Sequence, residues 1–164
     1  MKSINQYLYS ISTLLIGGLI YICFRVESLR MFSWFNSISL SEVIIRIRNY
    51  TLNYDLLIPN WVKFSLPDGL WLFSFISLIL ITWKNEINSS NLFWLIGLPI
   101  IALLSEIGQS ISIVPGTFDW IDLVMYLIGF ILPFIINKKS LIINAGNFGT
   151  RFSELHKAHE IEFD

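Results

Sequence analysis

An all-α integral membrane bundle of four crossing helices, with an interfacial amphipathic helix between the first and second crossings, is predicted by three observations. Of 164 residues, 54% are hydrophobic and 15% aromatic. Only 14% are charged, against about 25% in an ordinary soluble domain. Apolar runs long enough to cross a bilayer alternate with charged or turn-forming stretches. At roughly 20 residues per crossing, four crossings use about half of the chain. That leaves one transmembrane domain over 1–137 and a polar tail over 138–164.

The first crossing is placed at 7–24, ended by Arg25, with Gly17 and Gly18 at its centre where small residues let another helix approach. Lys2 ahead of this run resembles the start of a signal peptide. Small residues at a cleavage site are missing, and Ile22 precedes Cys23 where a lipoprotein signal wants Gly, Ala or Ser, so a retained anchor is expected. Cys23 is the single cysteine, which excludes an intrachain disulfide or a thiolate metal cluster. Buried among apolar neighbours, it is expected to act as a small hydrophobe.

Residues 25–64 are too charged to span, with Arg25, Arg30, Arg46, Arg48 and Lys63 among aromatic and aliphatic residues. Ser39 and Glu42 have capping-box spacing, and Leu40, Val43, Ile44 and Ile47 then share a helical face. Such a helix either lies in the membrane interface, with Arg46 and Arg48 toward headgroup phosphates, or packs over the end of the bundle. Trp34 and Trp61 suit the interfacial level.

The second crossing is placed at 67–83, opened by Pro67 and closed by Trp83 and Lys84, with Ser65 and Asp68 spaced to cap it. Lys84 to Asn91 reads as a brief polar turn that favours an antiparallel return. The third crossing covers 92–109 and the fourth 118–136, with Pro99 and Pro133 inside them and Thr117 as N-cap of the fourth. After Lys138 and Lys139, Leu155, His156 and His159 suggest a short terminal helix; the two histidines lack further metal ligands.

Antiparallel packing of these crossings brings the start of the second, the end of the third and the start of the fourth to one level. Asp68, Glu106, Gln109, Asp119 and Asp122 therefore converge. Ionisable groups in spanning segments are costly and usually face the bundle interior, which makes them candidates for a binding site. Basic residues near the crossings favour cytoplasmic termini, so this level lies toward the outer face of a bacterial inner membrane. With a net charge of −1 and no concentrated basic face, nucleic acid is not an expected partner; lipid, an envelope ligand or another membrane protein is.

Three uses of the polar site remain open. Hard oxygen ligands suit Mg²⁺ or Ca²⁺ held against a phosphorylated lipid. Two carboxylates in different surroundings suit an acid and a base, leaving open whether the protein is an enzyme. In the third use, Asp119 and Asp122 satisfy orphan amides at a helix N-terminus, Glu106 with Gln109 bonds them across the turn, and Asp68 is a helix-end charge, as in an accessory or assembly subunit. No nucleophile motif, phosphate-cradling loop or zinc signature is present in the sequence.

Ser105-Glu106-x-x-Gln109 followed by Pro115, Asp122 and Gly129, with Asp68 and Phe73 earlier in the chain, resembles the signature of VanZ-like membrane proteins. These are small bacterial helical proteins named for a member linked to teicoplanin resistance. The resemblance spans about 67–133 and implies a helical membrane setting and a role in the cell envelope or in envelope-directed antibiotic resistance. Gly69, Leu72, Thr117 and Tyr126 depart from the family pattern, which often places Lys, His, Arg and Asn there. The departures predict a site that keeps its carboxylates and lacks its cations.

Overall fold

The structure, a computed structural model, describes residues 2–27 and 29–144. Four helices carry most of it: α1 (Lys2–Phe24), α5 (Leu66–Thr82), α6 (Ser89–Ser110) and α7 (Trp120–Asn137). Three of these, α1 over Ile4–Phe24, α6 and α7, are long and apolar enough to cross a membrane. The helix at the expected second crossing is the exception. With 17 residues it spans about 26 Å at 1.5 Å per residue, short of a hydrocarbon core of roughly 30 Å. It stops at Trp83 because Lys84 and Asn85 adopt left-handed backbone conformations, φ 52° and 62°.

This shorter helix is nonetheless the centre of the fold. α5 packs along both α1 and α7, with lighter contact to α6. Leu72, Ile76 and Leu80 of α5 and Leu95 of α6 form the buried core, with Tyr126, Phe130 and Phe134 of α7 against it. Large aliphatic residues such as Leu15, Leu19, Ile101, Leu104, Ile131 and Ile135 are exposed on α1, α6 and α7, while Ser10, Ser74, Ser77 and Asn91 are buried. A water-soluble bundle sorts these residue types the other way. In lipid, apolar side chains gain little by leaving the solvent, so helices associate through small and polar groups.

Several contacts follow that rule. Ser74 Oγ donates to the Ser10 carbonyl at 2.8 Å, and the Gln6 and Asn85 carboxamides bond reciprocally at 2.8 and 3.3 Å, which fixes α1 antiparallel to α5. α5 and α7 meet at two glycines. A Cβ on Gly69 would lie 2.8 Å from the Met125 carbonyl oxygen, and one on Gly129 would overlap the Gly69 carbonyl. Of the Gly17–Gly18 pair only Gly17 serves close packing, beneath the Trp71 indole; Gly18 has open space around its Cα.

In place of the single helix expected between the first two crossings, the chain forms several short ones: α2 (Arg30–Ser37), α3 (Ser41–Leu52), a 3-10 turn (Asp55–Leu57) and α4 (Asn60–Phe64). The expected Ser39–Glu42 capping box is absent. Ser39 sits at φ 59°, and Leu40 occupies the N-cap position without a side-chain bond. Arg48 also departs from expectation. It lies one turn after Ile44, and these two are the buried residues of α3, turned toward α1, while Arg46, Val43 and Ile47 are exposed. Arg48 donates from Nη1 to the Ile22 carbonyl and from Nε to Glu27 Oε1 at 3.2 Å, with its guanidinium over the Phe32 ring.

Arg48 therefore ties α3 to the end of α1. Arg48→Leu is expected to lower unfolding free energy by about 2 kcal/mol, the scale of a charged hydrogen bond to a buried backbone group. Glu27→Gln, with Glu27 largely exposed, is expected to cost under ~1 kcal/mol. Thermal melting of the detergent-solubilised variants checks both.

Beyond α5, β1 (Glu86–Ile87) pairs in parallel with β2 (Ile142–Ile143), a short departure from the all-α expectation. The polar turn before α6 ends in a capping box in which Asn88 and Asn91 exchange side-chain bonds with each other's backbone. The expected terminal helix with Leu155, His156 and His159 lies outside the described residues.

Candidate carboxylate site

Four chain segments arrive at one end of the bundle: the residue after α1, the first turn of α5, the last turns of α6 and the first turns of α7. Asp68, Glu106 and Asp122 come together there, one from each of α5, α6 and α7, close enough to act on one another electrostatically. Glu106 is 5% exposed, and Asp122 is half-buried. One oxygen of each, Glu106 Oε2 and Asp122 Oδ1, is buried with no hydrogen-bonding partner among the described residues, which is unusual for a buried polar atom.

The local sequence sets each position. Glu106 and Gln109 are three residues apart on α6, and Gln109 Nε2 donates to Glu106 Oε1 at 3.3 Å. Gln109 is held from the other side by Gly116. This glycine has φ +146°, and a Cβ there would stand 2.6 Å from the Gln109 carboxamide. Gly108 makes the same kind of room for Val114, so the chain turns sharply back from α6 toward α7.

Asp119 has a different role from its neighbours. It is exposed and its Oδ1 accepts the Ile121 amide hydrogen at 2.9 Å, so Asp119 and not Thr117 is the N-cap of α7. A carboxylate suits the positive end of a helix. Asp68 does not cap α5 with Ser65: no side-chain cap bond forms there, and Ser65 Oγ is buried without a partner.

Asp68 instead faces two groups that the sequence pattern did not assign to the site. Arg25, just beyond α1, brings Nη2 to 3.9 Å from Asp68 Oδ2. The Tyr126 hydroxyl, one turn after Asp122 on α7, faces the same carboxylate. The expectation of a site without cations is thereby corrected. Its cation comes from the end of the first helix and not from the position after Pro115. The guanidinium lies 5.1 Å from the Tyr21 ring centroid and 5.7 Å from that of Phe64, and Tyr21 packs on Trp71 at 4.9 Å. Antiparallel packing of the first two helices was a sufficient signal for Arg25. Its place in a basic loop obscured it.

Of the three carboxylates, only that of Asp68 pairs with a guanidinium among the described residues. Glu106 Oε2 and Asp122 Oδ1, unpartnered among the described residues, are buried acceptors where an ammonium group or a hydrogen-bond donor interacts more strongly than in water. Among the described residues, no three His, Cys, Asp or Glu side chains converge closely enough to hold a metal ion. Comparison of the chain with protein-family models, curated proteins and solved structures gave no match.

Proposed function

We propose that this chain is a four-crossing, VanZ-like inner-membrane protein that binds an envelope component through the carboxylates of Asp68, Glu106 and Asp122. The ligand class is one that presents an ammonium group or several hydrogen-bond donors, such as an amine-bearing envelope precursor or an envelope-directed antibiotic. One observation carries this reading: on facing helices, Glu106 Oε2 and Asp122 Oδ1 are buried with no partner among the described residues. A merely structural contact gains nothing from acceptors left unsatisfied, because each costs desolvation without return.

The membrane setting draws support from the three long apolar helices and from the aliphatic residues they expose. α5 serves as the fourth, central crossing in this arrangement. Its own length is short, but α1 and α7 flank it, so it meets protein over most of its surface and needs less lipid-matched length. Lys2, Lys84, Lys138 and Lys139 lie close to the crossings on the termini side, whereas the basic residues of the other side all lie in the 25–64 segment, which supports an orientation with the carboxylates toward the outer face.

The test is complementation of a deletion strain by the wild type, Glu106→Gln or Asp122→Asn, scored across envelope-active antibiotics with membrane accumulation measured in parallel. Both variants are expected to accumulate like the wild type and to restore none of the susceptibility phenotype. Full complementation by both would remove the carboxylates from the function, and loss of accumulation would assign them to folding.

A further inference from the structure

At the end of the bundle opposite the carboxylates, the N-terminal turns of α1 and the C-terminal ends of α5 and α7 enclose an open cleft of about 850 Å³. Its floor is a set of polar groups that satisfy one another. Gln6 and Asn85 are paired, and the Tyr9 hydroxyl donates to Asn137 Oδ1 at 3.0 Å while Asn137 Nδ2 donates to the Pro133 carbonyl at 2.8 Å. Gln6 is 5% exposed and Asn137 9%. These buried carboxamides give the cleft a fixed shape.

The walls differ from the floor. Lys84 and Lys139 stand on them with Asn5 and Tyr7, and no carboxylate lines the cleft among the described residues. Neither lysine forms an ion pair with a described residue. Two ammonium groups beside neutral donors, without an acidic neighbour among the described lining residues, suit an anion. Lysine binds phosphate as a point charge, so it tolerates a mobile headgroup better than a planar fork does.

We propose that this cleft binds a phosphate group, with Lys84 and Lys139 as its charged ligands and Asn5 and Tyr7 as neutral donors. The phosphate belongs to an anionic lipid headgroup if α1 and α7 cross a bilayer, because both then end here at its surface. The proposal rests on the membrane reading for that source alone. It concerns a separate site from the carboxylates and a ligand of opposite charge.

The full chain is reconstituted into nanodiscs of phosphatidylcholine and of an equal mixture with phosphatidylglycerol, and lipid retained on release is counted by native mass spectrometry. Inorganic phosphate is added to the phosphatidylcholine sample in a third arm, read by thermal stability. The wild type is expected to retain phosphatidylglycerol in preference to phosphatidylcholine. Lys139→Gln and Lys84→Asn, the latter chosen because Lys84 has φ 52°, are each expected to weaken that preference about fivefold, the equivalent of ~1 kcal/mol per basic residue near an anionic surface.

Lys138, adjacent in sequence yet outside the lining, is the control, and Lys138→Gln is expected to leave the preference intact. An equal loss in Lys138→Gln would mean diffuse surface attraction and overturn the site, as would equal retention of both lipids by the wild type. Stabilisation by inorganic phosphate alone would support the site and assign it to a free anion. Failure to enter nanodiscs would count against the membrane reading, and the phosphate arm then tests the cleft in detergent.

Discussion

Gly129→Leu is expected to remove the protein from the membrane fraction. Gly129 and Gly69 face each other where α5 and α7 cross, and a Cβ on Gly129 would overlap the Gly69 carbonyl oxygen. Overpacking usually costs about 1–3 kcal/mol and more where nothing can yield. Here the obstructing atom is backbone in the central helix, so a loss of about 3 kcal/mol or more is expected. That is a large share of a typical stability of roughly 5–15 kcal/mol. Gly69→Val is expected to act alike through the Met125 carbonyl. The comparison is Gly97→Ala, whose added Cβ meets nothing within 4 Å and which is expected to melt at or slightly above the wild-type temperature because alanine favours helix. Immunoblots of membrane fractions and melting in detergent give the readout. Wild-type behaviour of Gly129→Leu would mean that α5 and α7 do not cross at these glycines.

The same crossing shows what the sequence could and could not convey. Three apolar runs, at 7–24, 92–109 and 118–136, correspond to helices long enough to span, because uninterrupted hydrophobicity bounded by charge is a signal that needs no partner to be read. The shared level of Asp68, Glu106 and Asp122 was legible for a related reason. Short connections enforce antiparallel order, and order fixes which helix ends are neighbours. Arg48 was misplaced because periodicity defines a face and not what covers it. Its guanidinium turned inward to a free carbonyl at the end of α1, where the pattern gave no sign that a carbonyl was available. The capping boxes expected at Ser39 and Ser65 failed because a cap needs the right backbone angles as well as the right residue, and Ser39 at φ 59° lacks them. Gly69 read as a departure from a family pattern; its purpose as the counterpart of Gly129 appears only when two helices are laid together.

Replacing Glu106 or Asp122 by its amide is expected to raise stability while abolishing function, whereas the same change at Asp68 is expected to lower stability. Glu106 and Asp122 approach each other with two unpartnered buried oxygens. In Glu106→Gln one such oxygen becomes an N–H₂ donor directed into that region, which removes a like-charge contact and adds a hydrogen bond. A gain of about 1–2 kcal/mol is expected from those two changes, and Asp122→Asn is expected to match it. Sites kept strained for binding commonly show this exchange of stability against activity. Asp68 differs because Arg25 faces it at 3.9 Å. Asp68→Asn leaves that guanidinium without its partner and is expected to cost about 1 kcal/mol or less, since the pair is partly open to solvent. Glu106→Ala separates charge from packing: it removes the charge too, but strips Gln109 of its acceptor and leaves a void, so it is expected to melt below the wild type. Detergent melting curves of the four variants, set beside their complementation phenotypes, decide the matter. If Glu106→Gln and Asp122→Asn destabilise the protein as Asp68→Asn does, the carboxylates hold the helices together and the binding role is lost.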